Sequence, residues 1–232
     1  MPCNLITLEN TRLAVVVGMD TVCEELKSRW VADRMKPLPH ARPGSKIGLL
    51  GGSFDPPHEG HVHITRWALR RFRLDEVWWL VSPGNPLKER GPAEMSRRIE
   101  AAEAIIPARK VVVTDIEAQL GTRYTADTLR EMKLRYPGAR FTWLMGADNL
   151  IQFHLWEDWR WIMENFPVGV LARPGAQVKA GMSPAARRYR RWRLSRAAAA
   201  RLPGKKAPAW VLLTGTMSPA SSTEIRRRGD WP

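Results

Sequence analysis

"KIGLLGGSFDPPHEGHVHI", residues 46–64, begins as a strand and ends as a helix. Its first five residues form an almost unbroken apolar run, shorter than a helix would need. Gly51 and Gly52 then let the backbone turn tightly and approach a ligand, because neither carries a Cβ. Asp55 and the two prolines after it hold the loop, and a helix starts near Glu59 or Gly60. His58 and His61 are three residues apart, so they project from neighbouring positions on one face. Two imidazoles beside the unpaired N–H groups of a helix start make a cradle for phosphate. A loop that is merely rich in histidine is the plainer reading, and it suits His63. Zinc fits poorly, since no third ligand recurs nearby. A Walker A loop would need Gly-Lys-Ser/Thr.

The same strand, turn and helix recur along the chain. Apolar runs at 46–50, 76–81, 110–115, 140–146, 167–172 and 209–214 read as strands covered on both faces. Helical stretches at 60–72, 93–106, 124–135 and 156–164 fall between most of them. This alternation predicts an α/β fold with a doubly wound, mainly parallel sheet. Ligands of such sheets bind outside the carboxyl ends of the strands. The distinctive loops follow strands: "GGSFDPPHEGH", "SPGNPLK", "GADN", "ARPG" and "SPASSTEIR". Within the last, "SSTEIRRRG" (221–229) reads as a helix N-terminus with Ser or Thr caps and Glu224 in the first turn. Arg226, one turn in, makes it a second site for an anion; an ordinary capping box is the alternative.

The totals bound what this fold can be. The chain has 232 residues, 44% of them hydrophobic, enough for one ordinary domain with a packed core. Its two cysteines, Cys3 and Cys23, fit neither a metal knuckle nor a redox pair, and such sparse use suits a reducing cytoplasm. "LAVVVGM" (13–19) is too short to span a bilayer. Residues 1–44 read as an N-terminal extension, with an amphipathic helix over 21–35 and a Pro-rich linker, before a domain over 45–232. The net charge of +14 is concentrated. Residues 176–206 hold ten cations (Lys179, Arg187, Arg188, Arg190, Arg191, Arg193, Arg196, Arg201, Lys205 and Lys206) and no acid. That basic helical segment reads as a solvated face, with a helix over 183–202 docking through Tyr189 and Trp192. Any nucleic-acid binding there is expected to be sequence-indifferent and salt-sensitive, not specific. No sequence signal sets an oligomeric state.

"GGSFDPPHEGH" together with "SSTEIR" resembles the HxGH nucleotidyltransferase superfamily. The order of "SPGNPLK", "YTADTL", "GADN" and "ARPG" is similar to its bacterial nicotinate-nucleotide adenylyltransferase family, over roughly residues 46–229. The resemblance implies a Rossmann-like fold and adenylyl transfer from ATP to nicotinate mononucleotide, giving deamido-NAD and pyrophosphate in NAD biosynthesis. It implies Mg²⁺ carried with ATP and no protein-only metal site. It further implies that His58, His61 and Arg226 serve the transferring phosphates. Gly51, Gly52, Ser53, Phe54, Ser222, Thr223 and Asp148 would then bind ATP, Asp148 by accepting from ribose hydroxyls or by orienting the metal. Lys88, Tyr124, Thr125 and Trp156 would bind the mononucleotide, although Lys88 alone reads equally as a solvated loop lysine.

Two positions depart from the family pattern. Glu157 stands where relatives often have a second aromatic or a histidine, and Gly84 where they often have glutamine. Trp156, Trp159 and Trp161 are all candidates to stack on the pyridine, and some of them must be core. Two other readings stay open at this level. One is a sister adenylyltransferase acting on nicotinamide mononucleotide or phosphopantetheine. The other is a binding protein whose arginine-rich segment meets RNA, against which the intact His58, His61 and Arg226 argue.

Overall fold

Adjacent tryptophans in "EVWWLV" show how the layers are built. Successive side chains of a strand point to opposite faces. Trp78 and Trp79 are both fully buried, each in a different apolar layer. The computed structural model describes residues 37–84, 91–106, 109–172, 175–215 and 221–231. The expected helix over 21–35 and Lys88 lie outside them.

Six strands pair into one sheet: β1 (Lys46–Gly52), β2 (Glu76–Val81), β3 (Val111–Thr114), β4 (Arg140–Gly146), β5 (Val168–Ala172) and β6 (Trp210–Thr214). Their order is β3-β2-β1-β4-β5-β6 and every pairing is parallel. This is the doubly wound sheet expected from the alternation. One face carries α1 (Glu59–Arg71) and α2 (Met95–Ile105), whose Ala68, Ile99 and Ala102 pack with Phe72, just past α1, on Trp79 and Leu144. The other carries the short α3 (Ile116–Gln119), α4 (Thr125–Arg135), α5 (Ala147–Gln152) and α6 (Trp159–Asn165), packed on Trp78 and Trp143. Burying one such large side chain stabilises the fold by about 1.5–3 kcal/mol. No helix among the described residues is long and apolar enough to cross a membrane.

The chain winds outward from β1 in one direction to β3, then returns to β4 and winds the other way to β6. The order therefore reverses between β1 and β4, and loops leaving their carboxyl ends diverge to open a crevice. The described strands and the expected runs agree within two residues at each end. The helix α5, which begins inside "GADN" at Ala147, was not anticipated, because six residues carry too little periodicity to register.

The single helix expected over 183–202 is absent. The basic segment 176–206 is instead α7 (Ala176–Gly181), α8 (Pro184–Arg188) and two 3₁₀ helices, Arg190–Trp192 and Arg196–Gly204. The sheet edge explains the break. Arg193 bridges to Trp210 on β6, and the Leu194 N–H donates to the Trp210 carbonyl at 2.7 Å. Satisfying that edge strand requires extended backbone where a helix would have continued. Tyr189 is buried as expected, whereas Trp192 is 43% exposed. All ten cations of 176–206 are exposed.

Candidate active site at the carboxyl ends of β1 and β4

Both strands at the reversal end on glycine, β1 at Gly51 and Gly52 and β4 at Gly146, and a cavity of about 690 Å³ opens between them. Gly51 matters through the side chain it lacks. A Cβ there would lie 2.5 Å from Cη2 of Trp143, which lines the cavity from β4. The chain then passes through Phe54 at φ 46°, a left-handed conformation costly for a residue with a side chain. Packing holds it there. The Phe54 ring is fully buried, stacks on Trp79 at 4.9 Å and meets His61 at 4.8 Å.

The two histidines cap the helix that follows. His58 is the N-cap of α1, and its Nδ1 accepts the Gly60 N–H at 3.0 Å. His61 sits at the third helical position, where its Nδ1 accepts the His58 N–H at 3.2 Å. This is a reciprocal capping box in which imidazoles replace the usual hydroxyl and carboxylate. A nitrogen that accepts carries no proton, so the neutral form of each ring keeps its N–H on Nε2. Burial, and next the neighbouring His58, push the His61 pKa down to about 3, partly offset by a backbone hydrogen bond. His61 is therefore a neutral donor at physiological pH. Both rings line the cavity, 4.0 Å apart.

Beneath the loop lies Asp55, 8% exposed. Its Oδ1 accepts from the Ala93 N–H at 3.3 Å and the Trp231 indole at 2.7 Å. The C-terminal α9 (Ser222–Arg227) is fastened to the same place. Ser222 Oγ donates to the Pro56 carbonyl at 2.9 Å. Arg226 donates to the Asp55 carbonyl and lies 3.5 Å from Asp55 Oδ2. Thr223 Oγ1 accepts a long 3.5 Å contact from Arg226. The expected Ser/Thr capping does not occur: Ser221 is the N-cap and no side chain caps the helix. The reason is competition. Glu224 pairs with Arg227 and Arg228, and the loop's buried carbonyls take the Ser222 hydroxyl.

The opposite wall comes from α4 and α5. Tyr124 and Thr125 open α4, and Asp148 lies exposed in the first turn of α5; all three line the cavity. Thr128, one turn into α4, shares a 2.7 Å hydrogen bond with Thr122. Of the three candidate tryptophans only Trp156 lines the cavity, held edge-on against Phe153 and Trp143. Trp159 packs on Phe153 and Tyr189, and Trp161 lies under Arg130.

With that geometry in place, comparison with known proteins decides the family. A family model described as cytidylyltransferase-like matches residues 49–228. A Cereibacter sphaeroides protein named probable nicotinate-nucleotide adenylyltransferase is 62% identical over 185 residues, 80% of this chain and 98% of that one. A Ruegeria pomeroyi protein of the same name is 59% identical over 194 residues, 84% of this chain and 91% of its own. The chain belongs to the nicotinate-nucleotide adenylyltransferase family. Its fold is also similar to that of Plasmodium falciparum nicotinic acid mononucleotide adenylyltransferase complexed with NaAD. The TM-score is 0.59 over 78% of this chain and 82% of that one, at 18% identity.

In this adenylyltransferase-family site the structure gathers Gly51, Gly52, Ser53, Phe54, His58, His61, Tyr124, Thr125, Asp148 and Trp156 around one cavity. Ser222, Thr223 and Arg226 are not among its described lining and stand behind the loop. Glu157 and Gly84, the two departures from the family pattern, both line it.

Two residues that the sequence did not single out also belong to the site. Arg98, 1% exposed, donates to the carbonyls of Ala93 at 2.7 Å, Ser53 at 2.7 Å and Ser82 at 2.8 Å. It thus ties the loop after β1 to the loop after β2. Its one signal was position, since it shares the buried face of α2 with Ile99 and Ala102.

The second is Glu117, 7% exposed and lining the cavity. Burial alone lifts its carboxyl from 4.5 to about 7. A carboxyl raised on folding lends full stability below its unfolded pKa and loses it as pH climbs through the folded one. Glu117→Gln, which cannot ionise, is therefore expected to match the parent near pH 4.5 and exceed it above pH 7. The expected gain approaches about 3 kcal/mol. Urea unfolding at the two pH values measures it. A difference independent of pH would show that Glu117 is not held as a buried acid.

Proposed function

We propose that this chain transfers the adenylyl group of ATP to nicotinate mononucleotide, releasing pyrophosphate and forming deamido-NAD. The observation that carries the reading is one cavity at the sheet's reversal, with paired imidazole donors on one wall and an aromatic, helix-start wall opposite. An oxygen of the mononucleotide phosphate bonds to Pα, and the bond from Pα to the pyrophosphate oxygen breaks with its electron pair. The attacking oxygen is already anionic, so no protein base and no covalent intermediate are needed. The chain supplies positioning and charge stabilisation.

In this reading Gly51, Gly52, Ser53 and Phe54 take the ATP side, and Nε2–H of His58 and His61 donate to phosphate oxygens. Ser222, Thr223 and Arg226 serve the departing pyrophosphate, for which Arg226 would exchange its contact with Asp55 for a phosphate oxygen. Mg²⁺ arrives with ATP as part of the substrate, and Asp148 offers the hard oxygen donor suited to it. Lys88 balances charge beside the mononucleotide. Tyr124, Thr125 and Trp156 receive the pyridine.

The choice of mononucleotide tests this. The N–H groups of Thr125 and Ala126, the first two of α4, precede the hydrogen bonds that the helix makes within itself, the first of which run from Asp127 and Thr128 to the Tyr124 carbonyl. A ring carboxylate meets them with charge-assisted hydrogen bonds, roughly twice as strong as neutral ones. The amide of nicotinamide would turn its own N–H toward donors, and mispairing of that kind discriminates strongly. Nicotinate mononucleotide is therefore expected to be preferred by at least about 100-fold in kcat/KM. Comparable efficiency with both mononucleotides would reject the carboxylate site. Activity with phosphopantetheine alone would move the chain to a sister enzyme.

A further inference from the structure

The basic segment 176–206 does not spread all its charge over an even surface. A hollow of about 480 Å³ lies between α7 and α8, the turn after them and the edge of β6. Arg187, Arg188, Arg190 and Arg193 line it, with Gly181 and Trp210 among the other walls. Neither α8 nor Arg190–Trp192 is a long helix that would fan these side chains apart. The break in the chain at Tyr189 instead sets these four arginines around one hollow.

Such a grouping is costly without a counter-charge. Arg188 has a partial one, because it lies over the Tyr189 ring, whose hydroxyl donates to Glu164 at 2.6 Å. Arg193 stands over the Trp210 indole at 5.3 Å, which leaves its charge unneutralised. Arg187, Arg190 and Arg193 make no ion pair among the described residues, and the segment itself contains no acid. Seven of its ten cations are arginine, the side chain whose planar fork matches phosphate oxygens two at a time. A concave wall of one sign also focuses the field more than a flat one.

We infer that this hollow is a second phosphate-binding site, separate from the cavity at the sheet's reversal, that takes a compact, multiply charged phosphate such as a pyrophosphate group. Four arginines lining one hollow favour a discrete anion over a polymer, which would need the charge in an extended track. The inference does not depend on the proposed reaction.

Calorimetric titration of the full chain with pyrophosphate in low salt tests it. Two binding events per chain are expected. Arg190→Ala with Arg193→Ala should weaken one of them at least tenfold and leave turnover unchanged, since neither residue touches the catalytic cavity. His61→Ala should leave that event intact. Lysines at both positions should restore it only in part, because an ammonium cannot bind bidentately. A single event that Arg190→Ala with Arg193→Ala abolishes would support the hollow and count against pyrophosphate binding in the catalytic cavity. Binding that this variant leaves wholly unaltered would overturn the site. So would a short single-stranded oligonucleotide that outcompetes pyrophosphate and gains affinity with length, which would make this face a nucleic-acid track. Circular dichroism and thermal melting confirm that the exposed substitutions leave the fold in place.

Discussion

His61→Ala is expected to lower turnover by about two to three orders of magnitude while the chain stays folded, the usual cost of removing one oriented transition-state donor. The geometry explains why the loss is large. His61 holds its Nδ1 against the His58 N–H at 3.2 Å, so its remaining proton is aimed from Nε2. Phe54 and Trp79 flank the ring at 4.8 and 5.9 Å, so the donor needs no reorganisation when the phosphate charge shifts. With its pKa near 3, the ring acts as a neutral donor, and no ionisation near pH 6.5 in the rate profile should trace to it.

Loss of the Nδ1 acceptor removes half of the capping box, at a cost of about 1 kcal/mol. His61→Gln separates the two roles. Its amide oxygen can cap the His58 N–H and recover that stability, yet it cannot reproduce the ring's placement, so turnover should remain low. Steady-state kinetics alongside thermal melting reads both. Near-normal turnover in a folded alanine variant would remove His61 from the chemistry.

Arg98→Met is expected to destabilise the fold by about 3–5 kcal/mol, the range for breaking a buried charged network. Methionine fills much of the same space, so the effect isolates the hydrogen bonds. Three carbonyls, of Ser53, Ser82 and Ala93, would lose a donor that is itself 1% exposed. Burial pulls the Arg98 pKa down while nearby Asp55 supports the charge, so the guanidinium stays ionised and Asp55 would lose that support too. The neighbouring exposed Arg97 gives the control: Arg97→Met should change stability by less than about 1 kcal/mol. Equal urea midpoints for the two variants would show that Arg98 is not the clamp between the loops.

The sequence by itself determined the repeating units of this protein. Strand, loop and helix each declare themselves within a dozen residues through apolar period, glycine turns and capping residues. The loops that carry chemistry were legible for the same reason, since each directly follows a strand. The His58–His61 spacing was also local, and the structure keeps both side chains at the start of α1.

Other features were decided only by the tertiary structure. Sheet order placed β1 beside β4 and brought Gly51 against Trp143, residues far apart in the chain. It chose Arg98 over Arg97 as the clamp, 45 residues from the Ser53 carbonyl it holds. It also chose Trp156 over its two neighbours, and fastened Arg226 to Asp55 across 171 residues. The helix expected over 183–202 failed for a related reason. Its local propensity lost to hydrogen bonds demanded by Trp210 on the sheet edge. Propensity and period act between neighbours in the chain, whereas a buried carbonyl or a shared cavity is satisfied by whichever side chain the fold brings within reach.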